Sequence, residues 1–152
     1  MLTELPDFSL RRARAADFDA LFVIHRGAMG DYIAATWGWD EAWQLEHFRT
    51  SFRPEARSVI DLQGETIGFV DIIEREDCFY LENIEIAPQC QSRGIGTRII
   101  QKLIERAQLK RLPLKLQVLK VNPRARALYE RLGFRCTGET ATHFAMERRE
   151  SL

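Results

Sequence analysis

Gln91-Ser92-Arg93-Gly94-Ile95-Gly96-Thr97 decides how this chain is read. Ahead of it runs Tyr80-Leu81-Glu82-Asn83-Ile84-Glu85-Ile86, an apolar strand ended by Ala87-Pro88. Behind it, from about Gly94 to Gln108, Ile95, Ile99, Leu103, Ile104 and Ala107 recur on one face of an amphipathic helix. A glycine-bearing turn at a helix start presents unpaired main-chain N–H groups and the positive end of the helix dipole, a setting suited to a phosphate. Gly94 and Gly96 have no Cβ to keep phosphate oxygens away from the backbone. Two familiar phosphate strings are excluded. A P-loop needs Gly-Lys-Ser or Gly-Lys-Thr, where this chain has Gly96-Thr97-Arg98. A dinucleotide fingerprint needs a third small residue where Ile99 stands.

A second string lies downstream. Leu116-Gln117-Val118-Leu119-Lys120-Val121 is followed by Asn122-Pro123-Arg124-Ala125-Arg126-Ala127-Leu128-Tyr129-Glu130-Arg131-Leu132-Gly133-Phe134. The two strings have the forms Q-x-x-G-x-G, after a strand ending I-x-I-x-P, and N-x-x-A-x-x-x-Y-E-x-x-G-F. In order and spacing they resemble the two signatures of the GNAT superfamily of acyl-CoA-dependent N-acyltransferases. The resemblance covers the chain from about Phe8 to Arg148.

The rest of the chain bounds the function. Its 152 residues predict a single domain, 1–152, with a core of its own. Lys plus Arg number 22 and Asp plus Glu number 22, so no global field draws nucleic acid or an anionic membrane. The apolar runs are of strand length, too short for a transmembrane helix, and Met1–Asp7 is too acidic for a secretory signal. Cys78, Cys90 and Cys136 are few, odd in number and without metal spacing, as in a reduced cytoplasmic protein. Cys78 and Cys136, at strand positions, read as small buried residues, and Cys90, beside the phosphate turn, as exposed and oxidisable.

Along the chain, Phe8–Arg12 alternates as a first strand, and Phe18, Leu21, Phe22, His25 and Met29 have helical spacing, with Gly30 as the stop. A second helical stretch, about Tyr32 to Phe52, is interrupted near Trp37-Gly38-Trp39 and halted by Pro54. Ser58–Leu62 and Thr66–Ile73 flank Gln63-Gly64-Glu65 as a hairpin. Later come strands at Phe79–Ile86 and Leu114–Val118, a helix over Pro123–Leu132 capped by Asn122 and closed by Gly133, and final strands at Phe134–Glu139 and Thr142–Glu147. The order predicts an α/β (α+β) fold: a mixed, mostly antiparallel central sheet with helices on both faces. The resemblance adds that the strands at 79–86 and 114–118 start adjacent and then splay, and that the pantetheine arm of CoA enters the gap. A parting sheet does leave N–H and C=O groups in need of partners.

Further implications follow from the resemblance. The reaction is transfer of an acetyl group from acetyl-CoA to a primary amine, which requires a proton acceptor for the amine, stabilisation of the oxyanion and a proton for the departing thiolate. Tyr129 is the expected acid, with packing on its helix as the alternative role. Main-chain N–H groups at Ile84 or Ile86 serve the oxyanion. The main chain of Gln91, Ser92, Arg93, Gly94, Ile95 and Gly96, with the Thr97 hydroxyl, holds the pyrophosphate, aided by Arg93 and Arg98. Asn122 and Ala125 contact the pantetheine side and Arg124 lies near the adenosine end. For the base, Glu82 and Glu85 stand inside the apolar strand on opposite faces, Glu82 sharing parity with Ile84, and a water relay is a third route. Glu82 is favoured.

The acceptor wall is placed at Gly30–Trp43, where Tyr32, Trp37 and Trp39 join Asp31, Asp40 and Glu41 in a setting suited to a cationic amine. The alternative is that Trp39 and Trp43, four apart, cover the sheet as core. His25, His47 and His143 read as packing or surface residues. A small-molecule amine is favoured as acceptor over a protein N-terminus or lysine, and a non-catalytic CoA-binding sensor is the contrasting class. An edge strand at Thr142–Glu147 offers a route to a homodimer.

Overall fold

A computed structural model describes residues 7–150. The reading of Met1–Asp7 as no secretory signal falls, for residues 1–6, outside the described residues. The elements are β1 (Phe8–Arg12), α1 (Phe18–Thr36), α2 (Glu41–Thr50), β2 (Arg57–Leu62), β3 (Glu65–Glu74), β4 (Phe79–Ile86), α3 (Ile95–Leu109), β5 (Leu114–Leu119), α4 (Pro123–Arg131), β6 (Arg135–Glu139) and β7 (His143–Arg148). The strands form one mixed sheet in the order β1-β2-β3-β4-β5-β7-β6, with four flanking helices. Antiparallel ladders join β1 to β2, β2 to β3, β5 to β7 and β6 to β7, while β4 and β5 run parallel.

The chain divides into two compact units, and β3, β4 and α3 each contribute to both. The first takes in the described residues up to Asp71 together with Asn83–Gly96. Its core joins Leu21, Phe22 and Ile24 of α1, Phe48 of α2, Val59 of β2, Phe69 of β3 and Ala87. Phe48 is the hub, edge-on to Phe18 at 5.4 Å, Phe22 at 5.5 Å and Phe69 at 5.9 Å. Such pairs contribute about 0.5–1.5 kcal/mol each beyond the area they bury. Gln63 and Gly64 take φ of 51° and 83°, the paired left-handed geometry of a tight hairpin, so the β2–β3 turn forms where its sequence signal stands. Gly30 does not stop α1. It lies inside the helix with open space about it, and burial of Ile33 one turn on carries the helix past it. The stop comes where Trp37 and Gly38 N–H groups reach back to Ile33 and Ala34 carbonyls and Gly38 takes φ of 83°. Tyr32 therefore belongs to α1, and α2 is the short remainder of the predicted second stretch.

The second unit holds Ile72–Glu82 and the described residues from Thr97 on. Ile99, Leu103, Ile104 and Ala107 of α3 are buried, as their spacing predicts, and Ile100 is buried with them. Asn122 Oδ1 accepts from Ala125 N–H at 3.1 Å and caps α4, Pro123 occupies its first turn, and Gly133, at φ 94°, follows its end. A Cβ on Gly133 would stand 3.1 Å from Arg148 Nε, which donates to the Leu132 carbonyl at 2.9 Å.

Three expectations are overturned. The last strand is no edge: β7 is paired on one side with β5 and on the other with β6, so, with β1 open at one end of the sheet, β6 is the strand left open at the other. Cys136 sits on that open strand and is exposed rather than buried. Cys90 is buried rather than exposed, because it closes a 3-10 turn at Pro88–Cys90 whose N–H bonds back to the Ala87 carbonyl at 2.8 Å.

Candidate active site

The turn before α3 is left-handed at two positions. Ser92 at φ 63° and Gly94 at φ 80° alternate with ordinary residues, an arrangement that curls successive N–H groups into a concave nest. Ser92, Arg93 and Gly94 are exposed, while Ile95 beside them is buried and anchors the helix start. No acidic side chain occupies the first turn of this 15-residue helix, so no carboxylate of that turn competes for its N-terminal amides. Gln91 has a further role that its motif position did not suggest. Its Nε2 donates to the Ile86 carbonyl at 2.8 Å and ties the turn to the end of β4.

The strand leading into that turn is also distinctive. Phe79, Tyr80 and Leu81 pair with Leu114, Lys115 and Leu116, and the ladder ends there although β4 runs on to Ile86. Ile84 and Ile86 are half-buried, Glu82 is exposed and Glu85 is buried, so the two carboxylates do take opposite faces. Where β3 passes, Gly68 leaves no room for a side chain. A Cβ there would lie 2.3 Å from the Glu85 carbonyl oxygen.

Glu85 is held by a side chain that the sequence reading had set aside as packing. His25 Nδ1 lies 2.7 Å from Glu85 Oε1 and His25 Nε2 lies 3.1 Å from Gln44 Oε1. Burial pulls the imidazole pKa down, but the hydrogen bond and charge of Glu85, with Gln44, carry it above its ordinary 6.5. Close by, Arg57 and Asp71 form a two-pronged buried ion pair at 2.7 and 2.8 Å, and Asn83 Nδ2 donates to Asp71 at 3.0 Å. Asp71 inside the apolar run Thr66–Ile73 was the one local signal for this network, since a carboxylate there needs a buried partner.

Glu82, Thr97, Asn122, Arg124, Ala125 and Tyr129 belong to the second unit. Tyr129 is buried, its ring 5.7 Å from Phe134, and burial pushes its hydroxyl up to about 12. The Asn122 side chain is engaged as the cap of α4, Ala125 N–H is its donor, and Arg124 is exposed beside them. On the expected acceptor wall the tryptophans part ways. Trp39 packs against the first core, with Nε1 donating to Glu41 at 2.7 Å, whereas Trp37 and Trp43 are 60% and 57% exposed. Trp43 stacks on His47 at 4.8 Å and does not cover the sheet. Tyr32 is half-buried on α1.

The acetyltransferase (GNAT) family model matches residues 18–134, which include the nest, β4 and Tyr129. The chain belongs to the GNAT family. A curated relative, the 5-NmdU N-acetyltransferase of Pseudomonas phage PaMx11, is 34% identical over 86 residues, 54% of this chain and 59% of that protein. The match thus spans less than two thirds of that relative's length. Among solved structures, the PaiA N-acetyltransferase from Thermoplasma acidophilum in complex with coenzyme A superposes with a TM-score of 0.78 at 16% identity, covering 95% of this chain and 99% of that one. The ribosomal-protein-S18-alanine N-acetyltransferase from Escherichia coli gives 0.71 at 21% identity, covering 96% of each. At these identities the likeness is one of fold. No helix among the described residues is long and apolar enough to cross a membrane.

Proposed function

We propose that the chain is a single N-acetyltransferase domain that moves the acetyl group of acetyl-CoA onto a primary amine by direct attack in a ternary complex, with a small-molecule amine as acceptor. The observation that carries this reading is the nest at Ser92–Gly94, open to solvent and free of acids in the helix turn behind it. When bound, acetyl-CoA supplies an acyl group already activated as a thioester. Gln91–Gly96 and the Thr97 hydroxyl hold its pyrophosphate, with Arg93 adding charge. Main-chain groups of Ile84 and Ile86, past the end of the β4–β5 ladder, bind the pantetheine and the developing oxyanion. Asn122, Arg124 and Ala125 line the cofactor from α4, and Tyr32, Trp37 and Trp39 line the acceptor.

The amine's proton goes to a carboxylate of β4, either Glu82, which is exposed, or Glu85, which is buried against His25. At the other end of the reaction Tyr129 moves its hydroxyl proton toward the leaving sulfur. With its pKa at about 12, full transfer to an ordinary thiolate would be uphill by roughly 5 kcal/mol. Donation by Tyr129 is therefore completed only as the amine gives up its own proton. Tyr129→Phe should lower kcat more than tenfold, about 1.4 kcal/mol, with CoA affinity nearly unchanged. Equal rates would remove Tyr129 as the acid. Gly94→Val puts a β-branched residue at φ 80° and a side chain in the nest, so CoA affinity should fall at least about tenfold. Calorimetry showing normal affinity would contradict the placement.

Three unbridged thiols, Cys78, Cys90 and Cys136, support a reducing, cytoplasmic setting, and any self-association is assigned to the open strand β6. The acceptor class is tested by following thiol release from acetyl-CoA over small primary amines, 5-NmdU, and peptides offering an N-terminus or a lysine. Turnover on small amines is expected. Turnover on peptides alone would move the assignment to a protein acetyltransferase, and tight CoA binding without turnover would make the chain a sensor.

A further inference from the structure

Three polar side chains meet inside the first unit from three different elements: His25 of α1, Gln44 of α2 and Glu85 of β4. Gln44 and Glu85 are 7% and 6% exposed, and both ring nitrogens of His25 face oxygens. A ring with an acceptor at each nitrogen is fully satisfied as imidazolium. As neutral imidazole it keeps Nδ1–H on Glu85 while the Gln44 amide turns to offer its NH2. The second oxygen of Glu85 has no donor among the described residues, yet the sole buried side-chain nitrogen or oxygen there without a partner is Arg57 Nη1. Water therefore reaches Glu85 Oε2. Glu85 itself lies between Ile84 and Ile86, beyond the last residue of β4 paired with β5.

We propose that His25 is a positioning residue for acetyl transfer: it grips one oxygen of Glu85 so that the other meets the incoming amine, and its own charge decides whether that carboxylate accepts a proton. The inference rests on the N-acetyltransferase reading above. In the step, the ammonium form of the acceptor gives one proton to Glu85 Oε2 and keeps the electron pair on nitrogen for attack. Glu85 later returns that proton to water. With His25 charged, Glu85 is half of an ion pair and a poor acceptor. With His25 neutral, the same carboxylate keeps its hydrogen bond and no longer faces a positive charge. The groups facing the ring are Glu85 from β4, Gln44 from α2 and the Arg57 guanidinium from β2, whose charge is taken up by Asp71 of β3. The Phe48 and Trp39 rings, 5.1 and 5.9 Å away, complete the enclosure and add no charge. His25 titrates above the ordinary imidazole value because of its contact with Glu85, so turnover should rise with pH through a step that belongs to His25.

His25→Asn keeps an N–H toward Glu85 and cannot carry the charge. Its kcat/KM profile should lose that step, so that at pH 6 the variant runs faster relative to its own plateau than the wild type does. NMR titration of the His25 ring in the wild-type protein gives an independent midpoint, which should coincide with the kinetic step and fall on Glu85→Gln. The proposal is overturned if the step stays in place in His25→Asn, or if His25 titrates where the rate is flat. The second outcome needs no variant and decides the matter even if His25→Asn fails to fold. A wild-type protein without turnover on any amine would defeat the transfer reading, whereas turnover indifferent to His25 would defeat this inference alone.

Discussion

Gly68→Val is expected to cost at least about 3 kcal/mol and to bring the urea midpoint down sharply, with Gly68→Ala moving the same way. Propensity alone predicts the opposite sign for the alanine variant, since a glycine inside a strand is about 0.5–1 kcal/mol worse than alanine. Contact geometry overrides it. A Cβ at 68 would stand 2.3 Å from the Glu85 carbonyl oxygen and 3.2 Å from both Ile86 Cα and Ile60 Cδ1. Two of those three atoms are backbone and cannot swing aside, so β4 would have to move at Glu85 and Ile86. Ala87 N–H, which donates to the Ile67 carbonyl at 2.7 Å next door, would be drawn along. The variant should accordingly lose CoA affinity together with stability. An alanine variant as stable as the wild type would refute the close approach of β3 to Glu85.

Asp71→Ala should be nearly as severe, at about 3–5 kcal/mol, because it strands a buried cation. Arg57 and Asp71 face one another in the β2–β3 register and are 5% and 6% exposed. The guanidinium lies 4.0 Å from the Phe69 ring centroid and 4.9 and 5.2 Å from those of Phe48 and Phe52, so three aromatic faces take the place of water. Nη1 already has no partner, and Asp71 supplies both hydrogen bonds to the remaining nitrogens. Removing both charges in Arg57→Met with Asp71→Leu should restore most of the loss, since an apolar pair of similar volume pays no desolvation penalty. Chemical denaturation of the two single variants and the double closes the cycle. A loss below 1 kcal/mol for Asp71→Ala would show that the pair is hydrated.

The parts of the site legible in the sequence are those whose signals act over a few residues. The left-handed turn at Gln63-Gly64, the Asn122 cap with Pro123 behind it, the Gly133 stop and the buried stripe of α3 all follow from main-chain sterics and i to i+4 spacing. Gly30 and Gly38 show where such signals run out. Both are helix-terminating residues by propensity, and only the burial of Ile33 between them decides which one the chain uses. Cys90 and Cys136 exchanged their expected exposures for the same kind of reason, one tucked under a 3-10 turn and the other placed on the open strand.

Sequence alone determined the glycine turn before α3, the strand ahead of it and the α4 cap, because glycine freedom, helix capping and strand alternation are properties of neighbouring residues. Tertiary structure alone decided that His25 meets Glu85, 60 positions along the chain, and that Arg57 finds Asp71, 14 positions on. Each of these groups is polar and could have stayed in water. Their pairing is set by helices and strands closing over them, which makes an unpartnered charge too costly and leaves one available neighbour.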